Sequence, residues 1–322
     1  MTTALRPIGD QEVLAARGAK NKVDPRIPYA FLVEPERSPR GTVQDVATIF
    51  LTNQECPFRC IYCDLWKNTT DQPVAAGDIP AQLDYALARL PQTASIKLYN
   101  SGNFFDAHAI PPADYPAIIA RVQPFERVIV ENHPRLCGAA CVRFSQALGR
   151  ELEIALGLET VEQDVLRRLN KQMTADDFRR AAEFLRENGM HVRAFIMIQP
   201  PFVTHPAEAV EGVVKSVEFA VAAGAGCCSL IPTRGGSGLL EQLRQSGEFA
   251  PPSLSTVEAA LAGALELPLV VQRGARIFFD LWDVDQLAAC SRCGPPRRER
   301  LRTMNDTQRV SNPVACDCEG RL

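Results

Sequence analysis

The chain has 322 residues, which is long for one ordinary domain but within the range of a single α/β barrel with an appendage. Hydrophobic residues make up 46% and charged residues 23%, and the formal charge of −3 excludes neither nucleic acid nor another partner, because a local patch matters more than the total. No apolar run approaches the roughly 20 residues that span a bilayer, and the first residues lack the apolar core of a signal peptide, so we expect a cytoplasmic protein without a membrane partner.

Short apolar runs alternate with helical patterns along most of the chain. Strands are predicted at 45–52, 95–101, 127–132, 152–159, 191–199 and 227–233, and helices at 81–90, 114–122, 142–150, 174–189 and 207–224. Most of the strands are continuously apolar, which is typical of parallel strands covered on both faces. This order fits a parallel barrel or a doubly wound sheet, and we predict an α/β fold with a partial parallel (β/α)6 TIM-like barrel.

The two ends of the chain differ from this repeat. Residues 1–42 contain scattered proline and charge, and we expect an irregular lead-in there. Residues 43–268 form the predicted core barrel. Residues 269–322, with a strand expected at 275–283, are predicted to form a small C-terminal Cys-rich metal-binding module.

The 11 cysteines need an explanation other than disulfides, which are rare in the cytoplasm. Cys227 and Cys228 lie within an apolar run and are expected to be buried. Seven others form two clusters with ligand-like spacing.

The first cluster lies in QECPFRCIYCDLWK at 54–67 and contains Cys56, Cys60 and Cys63. It follows the first predicted strand, so the thiols are expected at the carboxyl edge, where barrels build their sites. Three thiolates on a [4Fe–4S] cluster would leave one iron open, and Tyr62 would shield one side of the cluster or its ligand. The alternative is a zinc site with a distant fourth ligand, and the candidates for that ligand are Cys137, Cys141 and His133.

The segment CPFRCIYC resembles the CxxxCxxC signature of the radical S-adenosylmethionine superfamily. The resemblance implies a [4Fe–4S] cluster whose open iron is chelated by S-adenosylmethionine. It further implies one-electron cleavage of that cofactor to a 5′-deoxyadenosyl radical, with a reductant such as flavodoxin or ferredoxin. The cofactor then supplies the chemistry, while the protein binds it and excludes water.

The same resemblance implies cofactor contacts at successive strand ends. YNSGNFFD stands where the superfamily has a Gly-rich turn, although it departs from the common GGEP form, and VENHPR resembles a strand ending in relatives of the elongator catalytic subunit. Arg193 lies early in the fifth predicted strand and Gln199 at its end, and the segment 231–236 follows the sixth strand, where relatives place adenine contacts; we expect these features at the same edge. The cofactor-binding residues that we predict are Tyr62, Ser101, Gly102, Asn103, Glu131, Glu159 and Lys171.

The second cysteine cluster comprises Cys290, Cys293, Cys316 and Cys318. Two close pairs separated by a loop fit a closed zinc site of ribbon type. An auxiliary iron–sulfur cluster and ordinary reduced thiols are the alternatives. The intervening loop contains Arg297, Arg298, Arg300 and Arg302, which fit phosphate recognition, although charge runs are often solvated surface loops.

ARIFFDLWD together with the second cysteine cluster resembles the C-terminal part of the radical SAM subunit of archaeosine synthase. Members of that family act on a lysine-modified 7-deazaguanine base in tRNA and break a C–N bond. The resemblance implies a tRNA substrate and a partner enzyme subunit. A radical SAM enzyme acting on a small metabolite, and a non-catalytic protein that binds zinc and RNA, are the alternative interpretations.

Overall fold

The computed structural model describes residues 7–236, 238–288, 290–316 and 318. They contain one sheet of eight strands that neighbour one another in chain order. The first pair is antiparallel, with Ala30 opposite Phe50 and Arg37 opposite Val43, and all later pairs are parallel. The strands are β1 (Ala30–Arg37), β2 (Val43–Leu51), β3 (Ser95–Asn100), β4 (Arg127–Asn132), β5 (Glu151–Glu159), β6 (His191–Ile198), β7 (Cys227–Pro232) and β8 (Arg276–Phe279).

Helices connect the parallel strands and cover the sheet. They are α1 (Asp10–Ala15), α2 (Asp78–Leu87), α3 (Tyr115–Val122), α4 (Ala139–Leu148), α5 (Gln163–Arg168), α6 (Ala175–Glu187), α7 (Pro206–Ala222), α8 (Gly238–Gln245), α9 (Leu254–Leu265), α10 (Pro268–Arg273) and α11 (Gly294–Thr307). Short 3-10 turns lie at Leu65–Asn68, Pro112–Asp114, Pro134–Leu136 and Val284–Leu287. Within the described ranges, no helix combines the length and the apolar character needed to cross a bilayer.

The predicted partial barrel is confirmed, because the six predicted core strands are β2–β7. Their side chains pack with the inner faces of the helices into one large apolar core that includes Cys228. The capping signature at α6 forms as well, since the side chains of Thr174 and Asp177 each accept a hydrogen bond from the other's backbone N–H.

The prediction of an irregular lead-in is wrong for residues 30–37, which form β1, and for 10–15, which form α1. The strand was not predicted from the sequence AFLVEPER because this segment contains Pro35 and three charged residues. Proline is tolerated there because β1 lies at the edge of the sheet. Glu36 points into a buried ion network whose partners lie far away in the sequence.

This network occupies the end of the half-barrel where the parallel strands begin. Glu36 binds Lys97 (2.7 Å) and Arg193 (2.6 Å), while Glu153 binds Arg193 (2.6 Å) and Arg276 (3.1 Å). Burial opposes ionisation of Glu36, but Arg193 and Lys97 lower its pKa well below the ordinary value. The amino ends of β3, β5, β6 and β8 are therefore joined to β1 by charge.

Helix α11 covers the free edge of β8. The Asn305 side chain accepts from the N–H of Phe279 and donates to its C=O, both at 2.8 Å. Gln308 makes the same pair of bonds with Ile277, at 2.6 and 2.8 Å. These amides take the place of a neighbouring strand and prevent the edge from pairing with another chain. Since β8 pairs with β7, the sheet continues beyond residue 268; the domain division itself stays a prediction.

Candidate active site

The cysteine loop, residues 52–70, follows β2 at the carboxyl edge of the sheet. Its centre is fixed by Ile61, which is fully buried and donates its N–H to the carbonyl of Leu169 (3.1 Å). Trp66 is also buried, and the Arg17 guanidinium lies 4.8 Å from its ring centre. The loop is therefore anchored both to the segment after β5 and to the N-terminal segment.

Cys56, Cys60 and Cys63 lie on this loop as free thiols. Burial raises the pKa of all three, that of Cys56 to about 11, so binding a metal centre must release their protons. Asn103 and Lys171 lie beside these thiols as well, since Asn103 Nδ2 bonds Cys56 Sγ and the Lys171 ammonium opposes the rise in the pKa of Cys60.

A buried ion pair lies close to these thiols. Lys171 Nζ is 2.7 Å from Glu159 Oε1, at the end of β5, and 3.3 Å from the hydroxyl of Tyr62. Burial alone would lower the pKa of Lys171, but the Glu159 carboxylate raises it, so the ammonium persists. Gly157 makes room for the pair, because a Cβ there would lie 2.4 Å from both Glu159 Oε1 and Lys171 Nζ. Sequence reasoning missed Gly157, although a glycine inside a strand signals such a close approach.

The turn after β3 contains Ser101, Gly102 and Asn103 beside the cysteine loop. Asn103 Nδ2 donates to Cys56 Sγ at 3.3 Å. A Cβ on Gly102 would lie 3.3 Å from Asn53 Nδ2 and 3.4 Å from Asn100 Nδ2. Both asparagines are buried, and the Asn100 amide and Asn53 Oδ1 find no hydrogen-bond partner within the described part of the chain. Buried amide atoms without partners mark a place for a polar ligand, which the sequence did not reveal.

Two further polar groups line the same edge. Glu131 accepts a 2.5 Å hydrogen bond from the N–H of Asn100, and burial raises its pKa to about 8. Gln199, which follows β6, has a left-handed backbone conformation (φ 53°), and so has Glu159 at the end of β5 (φ 66°). Strained backbone of this kind concentrates at functional sites. The expectation that Arg193 contributes to this edge is wrong, because it lies in the ion network at the opposite end.

The proposed alternative zinc ligand His133 is already engaged. Its Nδ1 accepts the N–H of Arg135 (3.2 Å), and its Nε2 lies 3.1 Å from the carbonyl of Lys171. A backbone N–H only donates and a carbonyl only accepts, so the ring is neutral with its proton on Nε2. Burial lowers its pKa to about 3, in keeping with that state.

The C-terminal cysteines are brought together. The sulfurs of Cys290, Cys293, Cys316 and Cys318 all lie within 4.8 Å of one another, with Cys290–Cys316 at 4.0 Å and Cys293–Cys318 at 3.6 Å. Four thiolates about 2.3 Å from a tetrahedral ion are about 3.8 Å apart, so the group fits one ion. Backbone N–H groups of Cys293 and Arg292 lower the pKa of Cys290 to about 6, which favours the thiolate that a metal needs.

The arginines between these cysteine pairs lie on α11 rather than on the loop that we expected. Arg297 is buried and pairs with Glu258 of α9, and Arg300 Nη1 lies 3.1 Å from the same carboxylate. These two fasten α11 to the barrel, and the expectation that they face an RNA is wrong. Arg298 and Arg302 remain on the exposed side of the helix.

Comparisons with known proteins agree with this geometry. The sequence model of the Radical SAM superfamily matches residues 51–211, half of the chain. The chain is 27% identical over 282 residues to archaeosine synthase subunit beta of Methanosarcina acetivorans, covering 81% of this chain and 77% of that protein. It is 25% identical over 184 residues to the subunit of the same name from Thermococcus kodakarensis, covering 54% of this chain and 56% of that protein.

Solved structures share the fold. Methylornithine synthase superimposes with a TM-score of 0.52 at 15% identity, covering 86% of each chain. Elp3 of Methanocaldococcus infernus superimposes with a TM-score of 0.50 at 13% identity, covering 82% of this chain and 64% of that one. The matched range begins at the end of β2 and contains all three cysteines of the first cluster. The chain therefore belongs to the radical SAM superfamily.

Proposed function

We propose that the chain is a radical SAM enzyme that modifies a base in tRNA. The observation that carries this proposal is the anchored loop with Cys56, Cys60 and Cys63 beside the buried Glu159–Lys171 pair. Membership of the family implies a [4Fe–4S] cluster on these cysteines and S-adenosylmethionine as cofactor. The bound cofactor would supply a 5′-deoxyadenosyl radical.

The residues of the edge fit such a cofactor in charge and polarity. Lys171 offers a cation to the cofactor carboxylate, and Glu159 holds that cation in place. The Asn100 amide and Asn53 Oδ1, which find no hydrogen-bond partner among the described residues, can bind the amino acid part of the cofactor. Tyr62, Ser101, Gly102, Asn103 and Glu131 remain the other proposed cofactor contacts.

The proposed tRNA target is supported by the likeness to archaeosine synthase subunits and by one surface of the chain. Helix α11 runs antiparallel to β8, because Gln308 binds Ile277 and Asn305 binds the later Phe279. The helix start therefore lies toward the carboxyl edge. There Arg298 is 2.7 Å from Asp285, in the turn that follows Trp282.

Trp282 offers this surface a stacking platform. It is 58% exposed, while its backbone is held by Asp280 and Arg234. An exposed aromatic ring is a common way to bind an unpaired base. We name Trp282, Arg298 and Arg302 the α11 surface and propose that it contacts tRNA.

Charge reversal tests this contact. We expect Arg298→Glu with Arg302→Glu to weaken tRNA binding at least tenfold and to reduce its salt dependence. The matched control is Arg179→Glu with Arg180→Glu on α6, whose side chains are similarly exposed and paired. Equal affinity in the two double variants would exclude the α11 surface as the RNA contact.

Anaerobic reconstitution tests the reaction class. About four irons per chain at the first cysteine cluster and 5′-deoxyadenosine formed with a reductant are expected. Adding tRNA that carries the lysine-modified base should increase turnover and consume that base. Two zincs per chain and no iron would instead support the non-catalytic interpretation. Turnover on a small metabolite without tRNA would support the other alternative.

We further propose that Cys290, Cys293, Cys316 and Cys318 hold a structural zinc ion. Cys293→Ser should lower zinc content by one ion per chain and leave iron at the first cluster unchanged, whereas Cys227→Ser, at a buried strand position, should lower neither. Iron in place of zinc would favour the auxiliary cluster. The proposal also includes a partner subunit, a reductant such as flavodoxin or ferredoxin, and a cytoplasmic location.

A further inference from the structure

His133 connects two loops of the proposed site. It follows the last residue of β4 and caps the short turn Pro134–Leu136 through its bond from the N–H of Arg135. Its side chain is buried and neutral, so its contacts with the two loops do not depend on charge. Both of its remaining contacts reach across the edge of the sheet to segments distant in sequence.

The first contact is with the cysteine loop. The ring of His133 stacks on that of Phe58, with centroids 3.8 Å apart and planes 15° from parallel. Phe58 lies between Cys56 and Cys60, so its position fixes the turn that separates these two thiols. Stacked rings contribute about 0.5–1.5 kcal/mol beyond the area that they bury.

The second contact is with the segment that presents Lys171. His133 Nε2–H donates to the Lys171 carbonyl at 3.1 Å. The residues on either side, Asn170 and Gln172, both have left-handed backbones (φ 53° and 59°). A segment with two such residues needs outside contacts to keep its shape. The Arg135 guanidinium adds one by donating to the Gln172 carbonyl (3.0 Å).

We infer that His133 is a positioning residue that sets the cysteine loop against Lys171. One rigid ring bonds the backbone of the residue whose ammonium pairs with Glu159, and the same ring stacks on the residue between two cysteines. The distance between the thiols of the cysteine loop and the cation proposed for the cofactor carboxylate thus depends on a side chain that supplies neither a thiol nor the cation. For its effect on the cofactor, this inference rests on the proposed function.

Two variants separate the two contacts. His133→Phe keeps a flat ring on Phe58 and loses the bond to Lys171, whereas His133→Gln keeps a donor near the Nε2 position and loses the stack. Hydrogen exchange of the full chain, with and without reconstitution, reports each loop. We expect about tenfold faster exchange at 171–174 in His133→Phe and at 54–60 in His133→Gln. His191→Phe, at an exposed position at the start of β6, is the control and should change neither segment.

Cofactor binding supplies a second readout. His133→Phe should retain wild-type iron content but bind S-adenosylmethionine about tenfold more weakly, and His133→Gln should lose iron on reconstitution. The inference is overturned if both variants loosen the same segments, if neither does, or if His133→Phe binds the cofactor like the wild type. If the wild type itself binds no cofactor, the proposed function fails, while the exchange pattern still decides the role of His133.

Discussion

The attachment of α11 to the barrel gives a prediction that the structure makes quantitative. Glu258 of α9 is the shared partner of Arg297 and Arg300, and the three side chains are only 6%, 6% and 9% exposed. Glu258→Gln preserves shape and volume but removes the charge. One guanidinium then faces an amide nitrogen, donor against donor, in a buried site.

Removing one member of a buried ion pair costs about 3–5 kcal/mol, because the opposite charge that remains stays buried. For a chain of this size, 1 kcal/mol shifts the melting temperature by about 2 °C. We therefore expect Glu258→Gln to melt about 8 °C below the wild type. We also expect more rapid release of the zinc ion proposed for the C-terminal cysteines, since the cysteines at the start of α11 are no longer held against α9.

Thermal unfolding followed by circular dichroism, together with zinc release to a chelator, measures both effects. The matched control is Glu299→Gln, the same change on α11 itself, where the side chain is 67% exposed and 3.8 Å from Arg302. An exposed pair contributes about 0–1 kcal/mol, so this variant should melt within about 2 °C of the wild type. If the Glu258 and Glu299 variants melt together, the buried pairs do not fasten the helix and our reasoning is wrong.

Three further predictions concern the site and the sheet edge. Gly157→Ala should fold normally but bind S-adenosylmethionine at least tenfold more weakly, because its Cβ would lie 2.4 Å from the Lys171 ammonium; Gly212→Ala, which meets no atom within 4 Å, should leave binding unchanged. Burial raises the pKa of Glu131 to about 8, from about 4.3 in an unfolded chain, so the stability that Glu131 contributes is fully present below about pH 4 and is lost as the pH rises toward 8. Urea unfolding should show that Glu131→Gln removes this slope, and an unchanged slope would contradict it. Asn305→Ala leaves the N–H and C=O of Phe279 unpaired and should cost about 2 kcal/mol in the same assay; no loss would show that water replaces the amide.

The strands that could be predicted from the sequence are those whose stability is local in origin. Six runs, most of them continuously apolar, became β2–β7, as expected for parallel strands covered on both faces. The strand β1 was missed because Glu36 is stabilised by Lys97 and Arg193, and no local pattern reveals such distant partners. Helix α11 was missed because adjacent prolines are unfavourable inside a helix, yet Pro295 and Pro296 lie in its first turn, where a missing N–H costs nothing.

The candidate site divides in the same way. The cysteine cluster and the places of Glu159 and Lys171 at or after the end of β5 could be anticipated, but the ion pair between Glu159 and Lys171 could not. The roles of Phe58, His133 and Asn100 could not, because they depend on contacts between loops that only the folded sheet brings together. For Arg297 the sequence was misleading. It is typical of surface charge in the sequence, but in the fold it is buried and pairs with Glu258.

The ion network has a consequence for how a bulky substrate could enter. The sheet is open between β1 and β8, and Glu36 and Arg276 meet across that gap at a distance of 3.4 Å. An ion pair therefore closes the gap at the end of the sheet that is remote from the cysteines. If β1 and β8 separate while this ion pair holds, the gap between them widens at the opposite end, beside the cysteine loop, and keeps its width at the ion pair.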